Sequence, residues 1–463
     1  MYSLKRKFYE SLPPWAQRPV RLVPFALVAG KAYRRAWRRA AAMDRASPEQ
    51  IRAFQQEALG KILRFASEQV PAYRSLRSVV DRLPPLEALR AFPLVSKHDI
   101  QIDLKRYLPR DFASIPHYEC TTGGTSGNQL RLYLDDNSHS IEMGFMHRNW
   151  SRVGYTPRCR KATFRGVNLA TGNHPRLWRP NPIYNEWQFS PYHINTSTLP
   201  QYIEALYQYR PHYLHGYPSA ISLVARYLRS EGRSLSDLGI RAVLLGSEGV
   251  TSDQRAQIEQ AFDARVFSWY GHSERLILAG ECEETSVYHH FPDYGILEMV
   301  RDDGEPIDEA GERGELVGTG LWNYSLPLIR YRTEDRARLR ETHCSCGRSF
   351  QRFDRVEGRW KQEYVVGKTG SHISPAALNI HGDAFDHVLR YQYHQRRAGV
   401  LELRVVPGPD FQHEDIVLLQ QAYRRKLGEE LTVEVKLVED IPLTPRGKLR
   451  RLIQELPSEI AGV

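Results

Sequence analysis

The chain has 463 residues, 41% of them hydrophobic, enough for a large core spread over two or three domains. No apolar run approaches the roughly 18 residues that a membrane span needs, and the basic start (Lys5, Arg6, Lys7) leads into Leu12-Pro13-Pro14-Trp15 rather than an apolar signal segment, so the expected address is the cytoplasm. The formal net charge of +10 invites a nucleic-acid reading, but much of the excess sits in the first forty residues and no nucleic-acid motif accompanies it, so no nucleic-acid partner is expected.

Residues 1–95 read as a basic helical region, with 49–65 an amphipathic helix and Pro84-Pro85 punctuating its neighbour. The early cations Arg18, Arg21, Lys31, Arg34, Arg35, Arg38 and Arg39 are interleaved with Trp15, Phe25, Tyr33 and Trp37. That composition suits an arm resting on anionic lipid headgroups or on a partner, and equally a solvated helix packed on the main domain. Next comes Thr121-Thr122-Gly123-Gly124-Thr125-Ser126-Gly127, with three glycines and four hydroxyl residues in seven positions. Such a loop can turn its N–H groups and hydroxyls onto a triphosphate, or form a plain surface turn. The alternation Leu130-Arg131-Leu132-Tyr133-Leu134 predicts a strand after it, and Asn128-Gln129 stand where a Walker A loop needs Lys-Ser/Thr opening a helix.

Helices at 202–209, 220–231 and 252–262 then alternate with strands at 240–245 and 265–269, which implies a parallel α/β sheet with right-handed crossovers. Ligands in such sheets gather beyond the carboxyl ends of the strands, where Gly246-Ser247-Glu248 and Tyr270-Gly271-His272-Ser273-Glu274 fall. Past Leu297 the pattern turns antiparallel, with a turn at 302–304 and a strand at 314–319. From Glu363 strands at 364–366, 400–406 and 433–438 and helices at 376–380 and 415–427 make a small α+β unit of about a hundred residues. Five cysteines form an odd, sparse set, so reduced thiols are expected. Cys282, His289, Cys344 and Cys346 supply three sulfurs and an imidazole, a closed tetrahedral set for Zn²⁺; His290 or His343 can replace His289, and buried free thiols are the alternative.

Taken in order, Thr121–Gly127, Gly246–Glu248, Tyr270–Glu274, Leu326-Pro327-Leu328-Ile329-Arg330-Tyr331-Arg332-Thr333-Glu334-Asp335 and Pro445-Arg446-Gly447-Lys448-Leu449-Arg450 resemble the adenylate-forming superfamily. Within it the chain is most similar to the phenylacetate–CoA ligase and CapK-like branch found with capsule polysaccharide genes. The resemblance implies a large α/β domain over 96–357 with parallel sheets and a small antiparallel, barrel-like part. It also implies a hinge at 358–361 and a mobile α+β lid over 362–463. It implies ATP-dependent activation of a small carboxylic acid as an acyl-adenylate, then transfer to CoA or another acceptor. The alternatives are amide or ester ligation onto a sugar or amino acid, and a nucleotide-binding scaffold docked by the basic arm to a polysaccharide-assembly partner or the inner membrane face.

By the same resemblance Thr121, Thr122, Gly123, Gly124, Thr125, Ser126 and Gly127 hold the leaving phosphates, and Glu274 holds Mg²⁺. Tyr270 stacks on adenine, Ser247 and Glu248 lie at its edge, and Gly271, Ser273 and Arg359 complete the AMP site. Asp335 accepts the ribose hydroxyls, and Lys448 reaches the α-phosphate from the lid. Lys361 is the hinge pivot, and members of the branch show a Cys…His…Cys-x-Cys set like the one here. Two positions depart from the pattern: no lysine ends the phosphate loop, and Glu334 stands where glycine is usual. The acid pocket is expected from 164–166, 184–187 and 215–218, with Arg165 pairing a substrate carboxylate or serving packing.

Overall fold

The structure, a computed structural model, describes residue 19 and residues 22–456 apart from 122–129, 166–168, 172–173, 195–196, 251, 355, 357–363, 374, 379, 381–382, 386, 409 and 442–451. Helix α1 (Gly30–Met43) buries Tyr33, Ala36 and Ala40 and packs along helix α3 (Ser138–Ser151). The expected helix packed on the main domain is therefore present over 30–43, with its outward face left open. Arg39 is spent internally, on Asp293 at 3.2 Å and over the Trp322 ring at 3.8 Å. Helix α2 (Pro48–Gln69) begins on a capping box between Ser47 and Gln50 with Pro48 in its first turn, and buries Leu59, Ile62, Leu63 and Ala66.

Strand β1 (His117–Thr121) pairs antiparallel with β2 (Arg131–Asp135), Thr121 opposite Arg131. The alternation at 130–134 announces β2. It gives no hint of β1, whose five residues include none that is buried and so carry no apolar periodicity. The hairpin is pinned at its base: Asp135 accepts the Ser325 N–H at 2.8 Å, and Asn323 donates to the Tyr133 carbonyl at 2.8 Å.

The expected parallel core is present. Strands β3 (Lys161–Phe164), β4 (Trp178–Asn181), β5 (Glu186–Phe189), β6 (Tyr213–Gly216), β7 (Ala242–Leu245) and β8 (Arg265–Gly271) alternate with helices α4 (Leu199–Tyr209), α5 (Pro218–Ser230) and α6 (Ser252–Phe262). Strands β9 (Leu278–Gly280), β10 (Tyr288–His290), β11 (Gly295–Val300), β12 (Arg313–Gly320), β13 (Tyr331–Arg340) and β14 (Arg352–Phe353) follow. The antiparallel part continues the parallel one in a single 12-stranded sheet of order β11-β12-β13-β14-β10-β9-β8-β7-β6-β3-β5-β4. β8 is the join: Arg265–Ser268 pair parallel with β7, and Trp269–Gly271 pair antiparallel with β9. The chain leaves β3 for β5 on one side and returns to β6 on the other, a topological switch point at the carboxyl ends of β3 and β6.

The small domain has strands β15 (Val388–Arg397), β16 (Val400–Pro407), β17 (Thr432–Leu437) and β18 (Leu452–Gln454) in the order β17-β16-β15-β18, packed on helix α7 (His413–Leu427). Strand β15 went unpredicted because its charged residues mask its buried Tyr391 and Tyr393, and the expected helix at 376–380 is a 3₁₀ turn over Pro375–Leu378. Tyr192 of the large domain is buried in the small domain's apolar core, its hydroxyl 3.5 Å from the Ala377 carbonyl. The expected hinge, with Arg359 and Lys361, lies outside the described residues.

Candidate active site and metal cluster

Two reciprocal hydrogen bonds tie the end of β8 and the turn after it to strand β13. The Tyr270 hydroxyl donates to Asp335 Oδ2 at 2.9 Å, and the Tyr331 hydroxyl donates to Glu274 Oε1 at 3.0 Å. The charges of both Asp335 and Glu274 act on the Tyr270 phenol, so the two carboxylates flank one ring. Glu274 Oε2 faces His272 Nδ1 at 3.0 Å, while His272 Nε2 accepts the Ile277 N–H at 3.2 Å. An accepting Nε2 places the ring proton on Nδ1, aimed at Glu274. Burial alone would raise the Glu274 carboxyl; the hydrogen bond from His272, its own backbone N–H and the Tyr331 hydroxyl outweigh it and lower it to about 2. Burial, then the charge of Asp335, raises Tyr270, so its phenol stays protonated and donates.

Backbone conformation marks the same place. Ser247 (φ 71°), Arg275 (φ 58°), Arg330 (φ 50°) and Glu334 (φ 61°) all adopt the left-handed region without being glycine. Glu334 shows why glycine is usual there: the β12–β13 register shifts between Glu315 and Val317, and the left-handed residue turns Asp335 toward Tyr270. Glu315 holds the bend, its Oε1 accepting the Glu334 N–H at 2.9 Å while Arg332 donates to its Oε2.

The phosphate-loop candidate starts from this site. Thr121 ends β1; Thr122 to Gly127 lie outside the described residues, as does Lys448. Cys120 reports the neighbourhood: burial, opposed by Arg275 and reinforced by the Glu274 and Glu142 charges, pushes its thiol up to about 11. Arg275 in turn pairs with Glu142 of α3 at 2.8 Å.

A second group sits at the switch point. Arg165, just past β3, donates to Ser247 Oγ, lies 3.4 Å from His215 Nε2, and stands 5.7 Å from the ring centroids of both Tyr217 and Trp269. His215 Nδ1 is 2.9 Å from the Leu244 carbonyl, which fixes the proton there and leaves Nε2 to accept from the guanidinium. A Cβ on Gly246 would sit 2.3 Å from Trp269 and one on Gly271 2.9 Å from it, so both glycines are required by that indole. The expected pocket segment 184–187 is a correction. It sits at the amino ends of the strands, Glu186 opposite Lys161 and ion-paired with it at 3.1 Å, and Trp187 stacks on Tyr209 at 4.7 Å. Segments 164–165 and 215–217 are at the carboxyl ends, as expected. His272, Tyr331 and Trp269 had no assigned role from sequence, although the first two stand inside quoted motifs.

Cys282, His289, Cys344 and Cys346 converge, their ligand atoms all within 4.8 Å of one another. The Cys282 and Cys344 sulfurs are 3.9 Å apart, far from a disulfide, and Cys346 Sγ is 3.5 Å from His289 Nε2. Tetrahedral zinc with its usual bond lengths separates two sulfurs by about 3.8 Å and a sulfur from a nitrogen by about 3.6 Å, so the set fits. His289 Nδ1 meets the Val287 carbonyl at 3.0 Å, turning Nε2 inward, and the Glu284 and Thr285 N–H groups point at Cys282 Sγ from 3.4 and 3.3 Å, suiting a thiolate. Of the three candidate imidazoles, His289 belongs to the cluster. Beside it Arg348 forks onto Glu283 at 2.6 and 2.8 Å and reaches Asp44 at 2.8 Å, joining the knuckle to the end of α1.

Residues 365–455 match the family described as the CapK C-terminal domain. The chain is 26% identical to phenylacetate-coenzyme A ligase of Thermus thermophilus over 88% of its own length and 96% of the relative's. It is 23% identical to Protein CapK of Staphylococcus aureus over 80% of each. In fold it is similar to 2-hydroxyisobutyryl-CoA ligase solved with 2-HIB-AMP and CoA, at TM-score 0.57 and 19% identity, covering 90% of this chain and 92% of that one. Over nearly all of its length the chain is similar to acyl-CoA ligases of the adenylate-forming superfamily. These relatives are named phenylacetate–CoA ligase and CapK, and the chain is a ligase. Among its described residues the chain has no helix long and apolar enough to cross a membrane.

Proposed function

We propose that this ligase uses ATP to activate a small carboxylic acid as an acyl-adenylate and then transfers the acyl group to CoA. One observation carries the reading: the Tyr270–Asp335 and Tyr331–Glu274 bonds hold two oriented carboxylates around Tyr270 at the carboxyl end of β8. A carboxylate oxygen of the acid attacks the α-phosphorus, the bond to the β-phosphate oxygen breaks and pyrophosphate leaves. The CoA thiolate then attacks the acyl carbon and AMP leaves. Rate comes from positioning and from stabilising charge on the phosphates. Asp335 suits the ribose hydroxyls and Glu274 suits Mg²⁺, a hard cation that would neutralise phosphate charge. The acid is assigned to the switch-point edge beside Arg165. Acid-dependent exchange of labelled pyrophosphate into ATP, screened over aryl, amino and sugar acids, tests the first step, and CoA consumption tests the second. Exchange without thiol consumption would move the acceptor to an amine or hydroxyl of a sugar or amino acid. No exchange with any acid would leave a nucleotide-binding scaffold.

Tyr270→Phe removes the hydroxyl that anchors Asp335, a bond worth about 1 kcal/mol. We expect the KM for ATP to rise roughly fivefold with kcat little changed; an unchanged KM would separate Asp335 from ribose binding. Lys448 and Lys361 are proposed as the lid lysine and the pivot, on the family pattern. Lys448→Ala abolishes exchange but spares thiol transfer from supplied acyl-adenylate, whereas Lys361→Pro spares exchange and slows transfer. Equal loss in both half-reactions for either variant would remove its assignment. Zn²⁺ in the Cys282/His289/Cys344/Cys346 set is proposed as a structural clamp, since all four positions are taken by protein and none is left for substrate.

A further inference from the structure

From Ser11 to Met43 the chain holds seven cations and no aspartate or glutamate. The fold sorts them. Arg39 is consumed by Asp293 and Trp322, and Arg34 donates to the Ala26 carbonyl at 2.8 Å. Lys31, Arg35 and Arg38, spaced i, i+4 and i+7, are exposed on the outward face of α1, and Arg45 is exposed just past its end. Among the described residues none of these four has a carboxylate within ion-pair distance. The turns before the helix add apolar surface: Leu22 is 81%, Val23 45% and Leu27 61% exposed. They are held against α1 through Phe25, whose ring lies 5.2 Å from that of Tyr33.

The helix under this surface is clamped rather than loose. The Tyr33 hydroxyl is 3.0 Å from His147 Nδ1, a Cβ on Gly144 would come within 2.8 Å of Ala36, and Asp44 at the end of α1 receives Arg148, Arg152 and Arg348. A rigid helix that presents unpaired cations outward, next to exposed leucines and a valine, matches a membrane surface on both counts. Headgroup phosphates take the cations and the acyl boundary takes the apolar side chains. Nucleic acid would reward only the first.

We infer that the 22–45 corner docks the enzyme on membranes rich in anionic phospholipid. This holds independently of the acyl-adenylation reading. The test is flotation of the full chain with vesicles of phosphatidylcholine alone or with about 30% phosphatidylglycerol, at about 50 and 500 mM salt. We expect recovery with the anionic vesicles at low salt, little with the neutral ones, and release at high salt. Each cation near an anionic surface is worth roughly a fivefold change in partitioning, so R35E/R38E should lower binding by at least ~10-fold. L22S/L27S should weaken binding while keeping its salt dependence. Failure of the wild-type chain to float with the anionic vesicles at low salt would overturn the inference, and that arm depends on no variant. So would R35E/R38E floating as well as wild type, or a duplex DNA that binds the chain through Arg35 and Arg38 more tightly than the vesicles do.

Discussion

Glu274→Gln is expected to slow acid-dependent pyrophosphate exchange by about 10²–10³-fold, the usual effect of removing one charge-stabilising group at a reacting phosphate or acyl centre. The substitution is nearly isosteric and keeps an oxygen for the Tyr331 hydroxyl. What it loses is the anion and an acceptor for the His272 Nδ1 proton, so a buried amide then faces a ring N–H. That mismatch costs about 1–3 kcal/mol of stability, far less than the change in barrier, and the variant should stay folded at room temperature. A modest fall in Tm with exchange reduced less than tenfold would show that Glu274 serves the turn and not the phosphates. Mg²⁺ titration sharpens the result: the variant should need more Mg²⁺ for half-maximal exchange if this carboxylate holds the cation.

Loss of the metal set should have the larger effect on stability. Cys282 and His289 come from around β10, whereas Cys344 and Cys346 come from the loop before β14, so one ion would cross-link two stretches more than fifty residues apart. Freshly purified protein is expected to carry about one equivalent of zinc. Cys344→Ser should release it and cost at least ~4 kcal/mol, placing it among the exceptional substitutions that remove a metal. Cys159→Ser is the control: that thiol is also buried, but beside Thr156 and outside the set, so zinc content should not change. Less than about half an equivalent in the wild type, or Cys344→Ser melting with the control, would leave the four residues as reduced side chains without a metal. The effect should reach the N-terminus too, because Arg348 next to the knuckle holds Asp44 at the end of α1.

Much of the candidate site was legible because each group carries its signal locally. Tyr270–Glu274 follows a strand, Asp335 ends a recognisable run, and the cysteines stand at ligand spacing, so their order along the chain was enough to nominate them. Strands such as Ala242–Leu245, buried on both faces, read as continuous apolar runs. His117–Thr121 did not, since a half-exposed hairpin strand has no face to mark. The segment 184–187 misled because its aromatic and polar composition suits a pocket, and composition does not record which end of a strand a residue occupies.

The sequence by itself determined the residue types the chemistry needs, the helix caps and apolar periodicities, and the motif order that names the superfamily, because these depend on neighbours within a few positions. Only the tertiary structure decided that Tyr270 and Tyr331 hold Asp335 and Glu274, that Arg39 is consumed while Arg35 and Arg38 face outward, and that His289 rather than His290 joins the cysteines. Those choices are made by side chains tens to hundreds of positions apart, and a hydrogen bond or ion pair across such a gap exists only once the sheet has set its register.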